Sequence, residues 1–183
     1  MTKYEIINFK NEYSKLFYDL NIEWLNEFFL VEDYDKKILS NPQKYIINKG
    51  GSIFFAKIGR RIIGVVALMP THELGVYELT KMGVEKDFRN QGAGKLLLKK
   101  CVEQAKINKL KKVIIYSNRK LQNAIHLYKS FGFIEVAKSI VRSILSSITS
   151  HIETLQFALA NCRTNSLPIP VPPPVTTAIL FSK

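Results

Sequence analysis

The stretch from Tyr77 to Leu98 constrains the fold of this chain more than any other. It joins a short apolar strand to a Leu-rich helix through a charged turn that contains Gly92 and Gly94. The first N–H groups of a helix have no partner within the helix. Glycine lacks a Cβ, so a ligand can approach the main chain and the turn can adopt positive φ. The stretch therefore predicts a phosphate-binding turn at a helix N-terminus.

Two common nucleotide-binding patterns do not account for this turn. The chain contains no G-x-x-x-x-G-K-S/T, and G-x-G-x-x-G would need a third glycine at Leu97. What remains is Arg89-x-x-Gly92-x-Gly94, and we call residues 89–95 the phosphate turn. The motif resembles the Q/R-x-x-G-x-G/A pyrophosphate-binding loop of the Gcn5-related N-acetyltransferase (GNAT) superfamily.

Three further features stand at the spacing that this superfamily uses. Glu78 lies eleven residues before Arg89, where histone acetyltransferases of the superfamily carry their general base. A second strand, residues 112–117, follows the helix and ends at Asn118. The segment 123–133 is similar to the family's helix with its asparagine, its tyrosine and a closing Gly-Phe. The resemblance covers roughly residues 3–136.

The resemblance implies an α/β (α+β) chain with the acyl-CoA N-acyltransferase fold, in which helices flank a mixed central sheet. Leu96, Leu97, Val102 and Ala105 form the expected buried stripe of the helix after the turn. A crossover through that helix makes the strands on either side of it parallel neighbours. Strands are expected over residues 4–9, 52–58, 61–69, 76–84 and 112–117 and from 133, and helices over 11–29, 33–39, 92–108 and 121–130.

The composition changes after residue 136, so we expect a domain over residues 1–136 and an atypical extension over 137–183. Serine and threonine become frequent, and residues 167–174 hold five prolines, which favours an extended linker. The superfamily closes its sheet here with a hairpin of two strands, which the pattern does not show. Residues 177–181 either add an edge strand or hang free.

Six apolar residues of the extension recur at alternating spacings of four and three. This predicts an amphipathic helix over about 138–161 with a heptad seam. The seam could form a homodimer, or it could cover the apolar face left by the missing strands. A third interpretation is a foreign or frame-altered ending without a selected function. The six residues are Val141, Leu145, Ile148, Ile152, Leu155 and Leu159.

Composition limits the class of protein. The 46% hydrophobic fraction is typical of a globular chain, and the sequence has no run of about 18 apolar residues that would predict a transmembrane helix. The first ten residues turn polar too soon for a signal peptide, so we expect a cytoplasmic location without membrane association. Cys101 and Cys162 are the only cysteines, and their separation indicates reduced thiols.

The net charge of +12 at pH 7 raises the possibility of a nucleic-acid partner. The sequence shows no recognition helix or aromatic platform, so we expect no such partner. Many of the lysines lie near the phosphate turn. There they either contact coenzyme A, which is itself a polyanion, or form the solvated faces of two helices.

The resemblance implies direct transfer of an acetyl group from acetyl-CoA to the primary amine of a small molecule or protein, without a metal. Glu78 would be the general base, directly or through a water, or else an exposed strand residue paired with a lysine such as Lys81. Tyr128 would protonate the departing thiolate, or would simply pack within its helix. A main-chain N–H beside Met82 would stabilise the oxyanion.

The resemblance also implies how acetyl-CoA would be held. The main chain of Met82 and Val84 would pair with the pantetheine arm as an added strand. Side chains of the turn would add contacts to the pyrophosphate, and Asn123 would bind pantetheine or position the tyrosine. The implied coenzyme-binding residues are Met82, Val84, Arg89, Asn90, Gln91, Gly92, Ala93, Gly94, Lys95, Asn118 and Asn123.

The sequence leaves the acceptor open. In the superfamily the first two helices border the acceptor cleft, so Trp24, Phe28, Phe29 and Tyr34 either line it or belong to the core. Gly83 lies where a side chain would point at the acyl group, so it either widens that pocket for a larger acyl donor or marks a bulge. The alternative to an enzyme is a non-catalytic CoA-binding module or an inactive member with an altered C-terminus.

Overall fold

The computed structural model describes residues 4–28, 31, 33–118, 121–136 and 177–182. Its strands are β1 Glu5–Asn8, β2 Ser52–Ile58, β3 Arg61–Pro70, β4 Val76–Val84, β5 Lys112–Ser117, β6 Ile134–Val136 and β7 Thr177–Ser182. Its α-helices are α1 Ser14–Phe28, α2 Asp33–Ser40, α3 Pro42–Tyr45, α4 Ala93–Ile107 and α5 Gln122–Ser130. None of these described helices is long and apolar enough to span a bilayer.

The strands form one mixed sheet with the order β1-β2-β3-β4-β5-β7-β6. Neighbouring strands run antiparallel, except that β4 and β5 are parallel. Helix α4 makes the crossover between these two, because parallel strands cannot be joined by a tight turn. The predicted mixed sheet flanked by helices and its predicted parallel pair are confirmed.

Helices cover both faces of the sheet and divide the core in two. Alternate residues of a strand point to opposite faces. Phe54 and Ala56 of β2 pack with α4 and α5, whereas Ile53 and Phe55 pack with α1 and α2. We call these sides of the sheet the α4 face and the α1 face. Strand β3 is buried along most of its length because both of its faces are covered.

The buried stripe of α4 is displaced from the predicted one. Leu97 is fully buried, whereas Leu96 and Val102 are only partly buried. The prediction is therefore correct for Leu97 and Ala105 and wrong for Leu96, because the orientation of the helix is decided by its packing on the sheet. Val102 is partly buried against the same core. The residues that face the sheet are Ala93, Leu97, Leu98, Cys101 and Ala105.

Truncating Leu97 to Ala should lower the free energy of unfolding by about 2–5 kcal/mol, because the change removes buried methyl groups and leaves a cavity. The same change at Leu96 should cost at most about 1 kcal/mol, since that side chain is already partly in water. Urea unfolding followed by circular dichroism measures both values. Equal losses at the two positions would contradict the observed orientation of α4.

Strand β7 corrects the prediction for the end of the chain. It pairs antiparallel with β5 at six positions and with β6 at three. Residues 177–182 therefore form an interior strand rather than an edge strand. Together with β6 they supply the antiparallel closing pair that the sequence pattern does not show, because the partners of a short strand depend on the ladder that it joins.

The predicted helix over 138–161, its heptad seam and the linker over 167–174 lie outside the described residues. The domain boundary at residue 136 stays a prediction. The structure adds that β7, from beyond that boundary, belongs to the same sheet as the earlier strands.

Candidate active site

A gap between β4 and β5 opens after Glu78. The two strands pair at three positions only, Val76 to Glu78 with Lys112 to Ile114. Farther along, β5 continues its pairing with β7. The second half of β4 pairs with β3, and no described strand pairs with its other edge. We call this other edge the open edge of β4.

The main chain of Met82 and Val84 faces the open edge. The N–H of Glu85 donates to the carbonyl of Ile63 on β3 at 2.8 Å. Successive residues of a strand direct their hydrogen-bonding groups to opposite edges. Gly83 is therefore directed to β3 like Glu85, whereas Met82 and Val84 are directed away from it. These two residues are the predicted partners of an extended ligand.

A β-bulge in β4 follows Glu78. Val65 of β3 is opposite Gly83, and Ala67 is opposite Thr80, so β4 has one residue more than β3 over this stretch. Lys81, within the bulge, has a φ of 51°, in the left-handed region that non-glycine residues rarely adopt. A bulge bends its strand and disrupts the local pairing, which accounts for a gap at this point.

The bulge also changes which side chains face which core. Leu79 before it and Met82 after it both pack on the α4 face, although they are three residues apart. In an uninterrupted strand they would point to opposite faces. Lys81 is consequently brought to the α1 face, the face on which Glu78 lies.

Gly83 has a packing role. A Cβ atom at this position would lie 3.3 Å from the carbonyl oxygen of Leu20 and 3.7 Å from Cβ of Trp24, both on α1. Its absence lets α1 pack closely against β4. The bulge predicted at this glycine is present. The missing side chain would point at α1. A wider acyl pocket at this position stays a prediction.

The phosphate turn has the predicted backbone. Asn90 and Gly92 have φ of 59° and 92°, and α4 begins at Ala93 with Gly92 as its N-cap. No side chain of the described residues caps the helix there, so its first N–H groups can bind a ligand. A Cβ at Gly92 would have no atom within 4 Å. At Gly94 it would lie 3.4 Å from Cε of Met82, which places the turn beside the open edge.

Side chains of the turn hold its shape. The guanidinium of Arg89 donates to the carbonyl of Val84 at 2.9 Å and to the carboxylate of Glu27 on α1 at 2.8 Å. The amide of Gln91 donates to the carbonyl of Asp87 at 2.6 Å. Arg89 therefore ties the turn to β4 and α1, and its side-chain contact with pyrophosphate stays a prediction.

The remaining residues implied for coenzyme binding lie around the turn and the end of β5. Asn90, Lys95 and Asn123 are exposed. Asn118 follows β5, and its carbonyl accepts a hydrogen bond from the N–H of Leu121 at 2.9 Å. Their contacts with a coenzyme stay predictions.

Glu78 lies on the α1 face where the gap begins. Burial raises the pKa of its carboxyl group. The charge of Lys81 and a hydrogen bond with the Thr80 side chain oppose that rise, and the charge of Asp35 adds to it. Tyr34 has its own pKa raised by burial and by the charges of Glu78 and Asp35, so it belongs to the same cluster. A proton acceptor with a raised pKa is thus placed at the start of the open edge.

Tyr128 lies on the opposite side of the sheet. It is buried on α5 in the core of the α4 face, and its ring centroid is 6.3 Å from that of Phe133. Burial raises the pKa of its phenol to about 12, so the phenol is protonated at neutral pH. A Cβ at Gly94 would lie 3.9 Å from Leu127, which places α5 against the start of α4.

Sequence reasoning missed the contact between α2 and the bulge. The sequence suggests Lys81 as a partner of Glu78, but the ammonium of Lys81 forms an ion pair with Asp35. No local pattern connects residues 46 positions apart. Tyr34, a predicted cleft residue, is 54% exposed in this cluster. Phe29 and the side chain of Phe28 lie outside the described part of the chain.

The described residues contain no group of three or more His, Cys, Asp or Glu side chains that could hold a metal ion. The titratable side chains around Glu78 are instead Asp35, Lys81 and Tyr34, whereas Tyr128 is buried in the core of the α4 face. These groups can accept and donate protons and can form hydrogen bonds with charged groups. The main-chain groups of β4 and of the turn can bind an extended ligand with phosphate groups.

Comparisons with known proteins identify the family of the chain. The sequence model described as the acetyltransferase (GNAT) family matches residues 9–133. The N-acetylaspartate synthetase of Xenopus tropicalis is 30% identical over 96 residues, which are 52% of this chain and 35% of that protein. The chain thus spans about a third of that relative's length.

Two solved structures show the same fold. A GNAT-family acetyltransferase from Staphylococcus aureus is 19% identical, with a TM-score of 0.74 and coverage of 98% of both chains. A GNAT-family acetyltransferase from Elizabethkingia anophelis, solved with acetyl-CoA bound, is 23% identical. Its TM-score is 0.52, and the match covers 75% of this chain and 80% of that one. Because the family model matches more than half of its length, the chain belongs to the acetyltransferase (GNAT) family.

Proposed function

We propose that this chain transfers an acetyl group from acetyl-CoA to a primary amine of a small molecule or a protein. The observation that carries the proposal is the open edge of β4, which begins at Glu78 and leads to the uncapped N-terminus of α4. A ligand with amide groups followed by a pyrophosphate fits this order. Amide groups pair with a free strand edge, and phosphate groups bind at a helix N-terminus.

Acetyl-CoA is held chiefly by the main chain in this proposal. Met82 and Val84 pair with the pantetheine arm, and the N–H groups from Gln91 to Lys95 bind the pyrophosphate. Arg89 acts on the coenzyme indirectly, because its guanidinium fixes the turn in place.

Glu78 prepares the amine for attack. An alkylammonium group has a pKa of about 10.4 and cannot attack while it is protonated. Glu78 takes that proton, directly or through a water. Its raised pKa makes the carboxylate a stronger base than an exposed glutamate.

The neutral amine nitrogen then forms a bond to the carbonyl carbon of the thioester. The oxyanion accepts a hydrogen bond from a main-chain N–H beside Met82. When the oxyanion collapses, the C–S bond breaks and sulfur leaves with the electron pair. The nitrogen, which became positively charged when it attacked, releases its second proton to solvent. The product is an N-acetylated amine and the thiolate of coenzyme A.

Tyr128 stabilises the departing thiolate through a hydrogen bond from its phenol. A thiol has a pKa of about 8.5, whereas burial raises that of Tyr128 to about 12. Full proton transfer from the phenol to the thiolate would therefore be uphill. The thiolate takes its final proton from solvent, and Glu78 returns its proton to solvent.

Calorimetric titration with acetyl-CoA tests the coenzyme site. We expect one-to-one binding with a Kd of about 1 μM, equivalent to about −8 kcal/mol. Coenzyme A without its 3′-phosphate should bind more weakly if the lysines near the turn contact that group. No binding of acetyl-CoA up to about 1 mM would contradict the proposal. Once binding is established, thiol release is screened with amines, beginning with aspartate because an N-acetylaspartate synthetase is among the relatives.

A further inference from the structure

The ion pair between Lys81 and Asp35 is an unusual feature of the candidate site. It joins the bulge of β4 to the first turn of α2 across 46 positions of sequence. Both side chains are only 15% exposed. Removing two charges from water is costly, so a buried ion pair is weak evidence for a stabilising role. Its place beside Glu78 suggests a role in the chemistry of that carboxylate.

Two features of the backbone bring the pair to this place. The bulge moves Lys81 to the α1 face, where a regular strand would have directed it to the α4 face. Lys81 also adopts a positive φ that is unfavourable for a residue with a side chain. An unfavourable conformation persists only when surrounding contacts hold it, and Asp35 provides such a contact.

We propose that the Asp35–Lys81 ion pair is a positioning element that keeps the charge beside Glu78 balanced, so that this carboxylate can act as the base. The proposal rests on the proposed function for its catalytic meaning. The charge balance itself is a property of the folded chain and can be measured without any reaction.

The surroundings of Glu78 make it sensitive to this balance. Helix α2 contributes Asp35 and the phenol of Tyr34. Strand β4 itself contributes Lys81 and the hydroxyl of Thr80. Uncharged residues lie opposite Glu78 on the neighbouring strands, Met69 on β3 and Ile114 on β5, and α1 packs on β4 through Leu20 and Trp24.

A closed ion pair has no net charge, and its effect on a nearby carboxylate is smaller than that of either charge alone. Without Asp35, the ammonium of Lys81 would favour the ionised form of Glu78 and make it a weaker base. Without Lys81, the carboxylate of Asp35 would favour the protonated form of Glu78. The two losses therefore act in opposite directions.

The test is a carbon-13 NMR titration of glutamate carboxyl groups in the full chain, with the Glu78 signal identified by its absence in Glu78→Gln. We expect Asp35→Asn to lower the titration midpoint of Glu78 and Lys81→Met to raise it, each by about one pH unit. The double variant Asp35→Asn/Lys81→Met should return the midpoint close to that of the unchanged chain. Such a return is the signature of a coupled pair.

Two further variants make the result decisive. Lys81→Gly removes the same charge in a residue that tolerates positive φ, and it replaces Lys81→Met if that variant does not fold. The matched control is the ion pair between Lys15 and Asp19 on α1, whose side chains are 84% and 46% exposed. Asp19→Asn should leave the midpoint of Glu78 unchanged, because exposed charges are screened by water and salt.

Shifts in the same direction for Asp35→Asn and Lys81→Met, or no shift in either, would overturn the proposal. A double variant would also overturn it if its Glu78 midpoint differed from that of the unchanged chain by as much as the midpoint of either single variant does. These outcomes are independent of acetyl transfer. If the titrations behave as expected while acetyl-CoA does not bind, the proposed function fails and the charge balance stands.

In the active enzyme the same variants should shift the acidic limb of the pH profile of kcat/KM. That limb reports the protonation of the essential base in the free enzyme. We expect it at lower pH in Asp35→Asn and at higher pH in Lys81→Met. A loss of rate with an unchanged pH profile in both variants would mean that the pair only supports the structure, and would overturn the proposal.

Discussion

Replacing Glu78 by Gln is expected to lower kcat by about 10²- to 10⁴-fold, the usual contribution of a positioned general base. The amide has nearly the shape of the carboxylate but cannot accept the proton of an ammonium group. The Kd for acetyl-CoA should change little, since the coenzyme is held by the main chain of β4 and of the phosphate turn. Release of the coenzyme A thiol measures the rate, and calorimetry measures the affinity.

The pH profile adds a second readout for Glu78. Burial raises the pKa of Glu78, so the acidic limb of the pH profile of kcat/KM should lie above the usual titration range of a glutamate. At pH values below this limb the rate should decrease, because Glu78 is then protonated. The limb should be absent in Glu78→Gln. The control is Glu5→Gln, which changes an exposed strand carboxylate paired with Lys57. A kcat that stays within about threefold in Glu78→Gln would rule out Glu78 as the base.

This experiment also separates the enzyme from the alternative of a non-catalytic CoA-binding module. In an enzyme, the unchanged chain releases thiol with an amine and the variant does so much more slowly. In a binding module, the unchanged chain and Glu78→Gln bind acetyl-CoA equally well, and neither protein releases thiol above the background rate.

Replacing Gly92 by Ala should weaken acetyl-CoA binding by about tenfold. At a φ of 92° a residue with a Cβ is disfavoured by roughly 1–2 kcal/mol, so the turn spends less time in the conformation that presents its N–H groups. A methyl group would also extend into the open space where the pyrophosphate is proposed to lie. Calorimetric titration with acetyl-CoA measures the loss.

Gly59 supplies the matched control. It has a φ of 58° and, like Gly92, no atom within 4 Å of the position of a Cβ, but it lies in the turn between β2 and β3. Gly59→Ala should lower stability slightly and leave the affinity for acetyl-CoA unchanged. An unchanged affinity in Gly92→Ala would show that the phosphate turn does not bind the coenzyme through its main chain.

Much of the fold is predictable from the sequence because its signals are local. The bounds of β2 and β4 agree with their hydrophobic patterns, and α4 begins where the glycines of the turn indicate. The positive φ of Gly92 follows from the lack of a Cβ. The family resemblance depends on the same short-range spacings, from Glu78 to the turn and from Asn123 to Phe133.

The interpretations that failed concern relations between distant segments. Residues 177–182 have a strand-like pattern, but only the ladders with β5 and β6 show that they form an interior strand. The buried stripe of α4 was displaced for a similar reason, since the sheet decides how the helix is turned.

Periodicity and short motifs act over a few residues, and they are sufficient to predict the strands up to residue 136, helices α1, α2, α4 and α5 and the phosphate turn, and to indicate the family. Helix α3 is not among the predicted elements. The packed fold is needed to show where β4 bulges, that the bulge turns Lys81 toward Asp35, and that the gap opens at Glu78. A bulge depends on the register between two strands, and an ion pair across 46 positions depends on the packing of a helix on a sheet. Neither relation leaves a pattern in the chain itself.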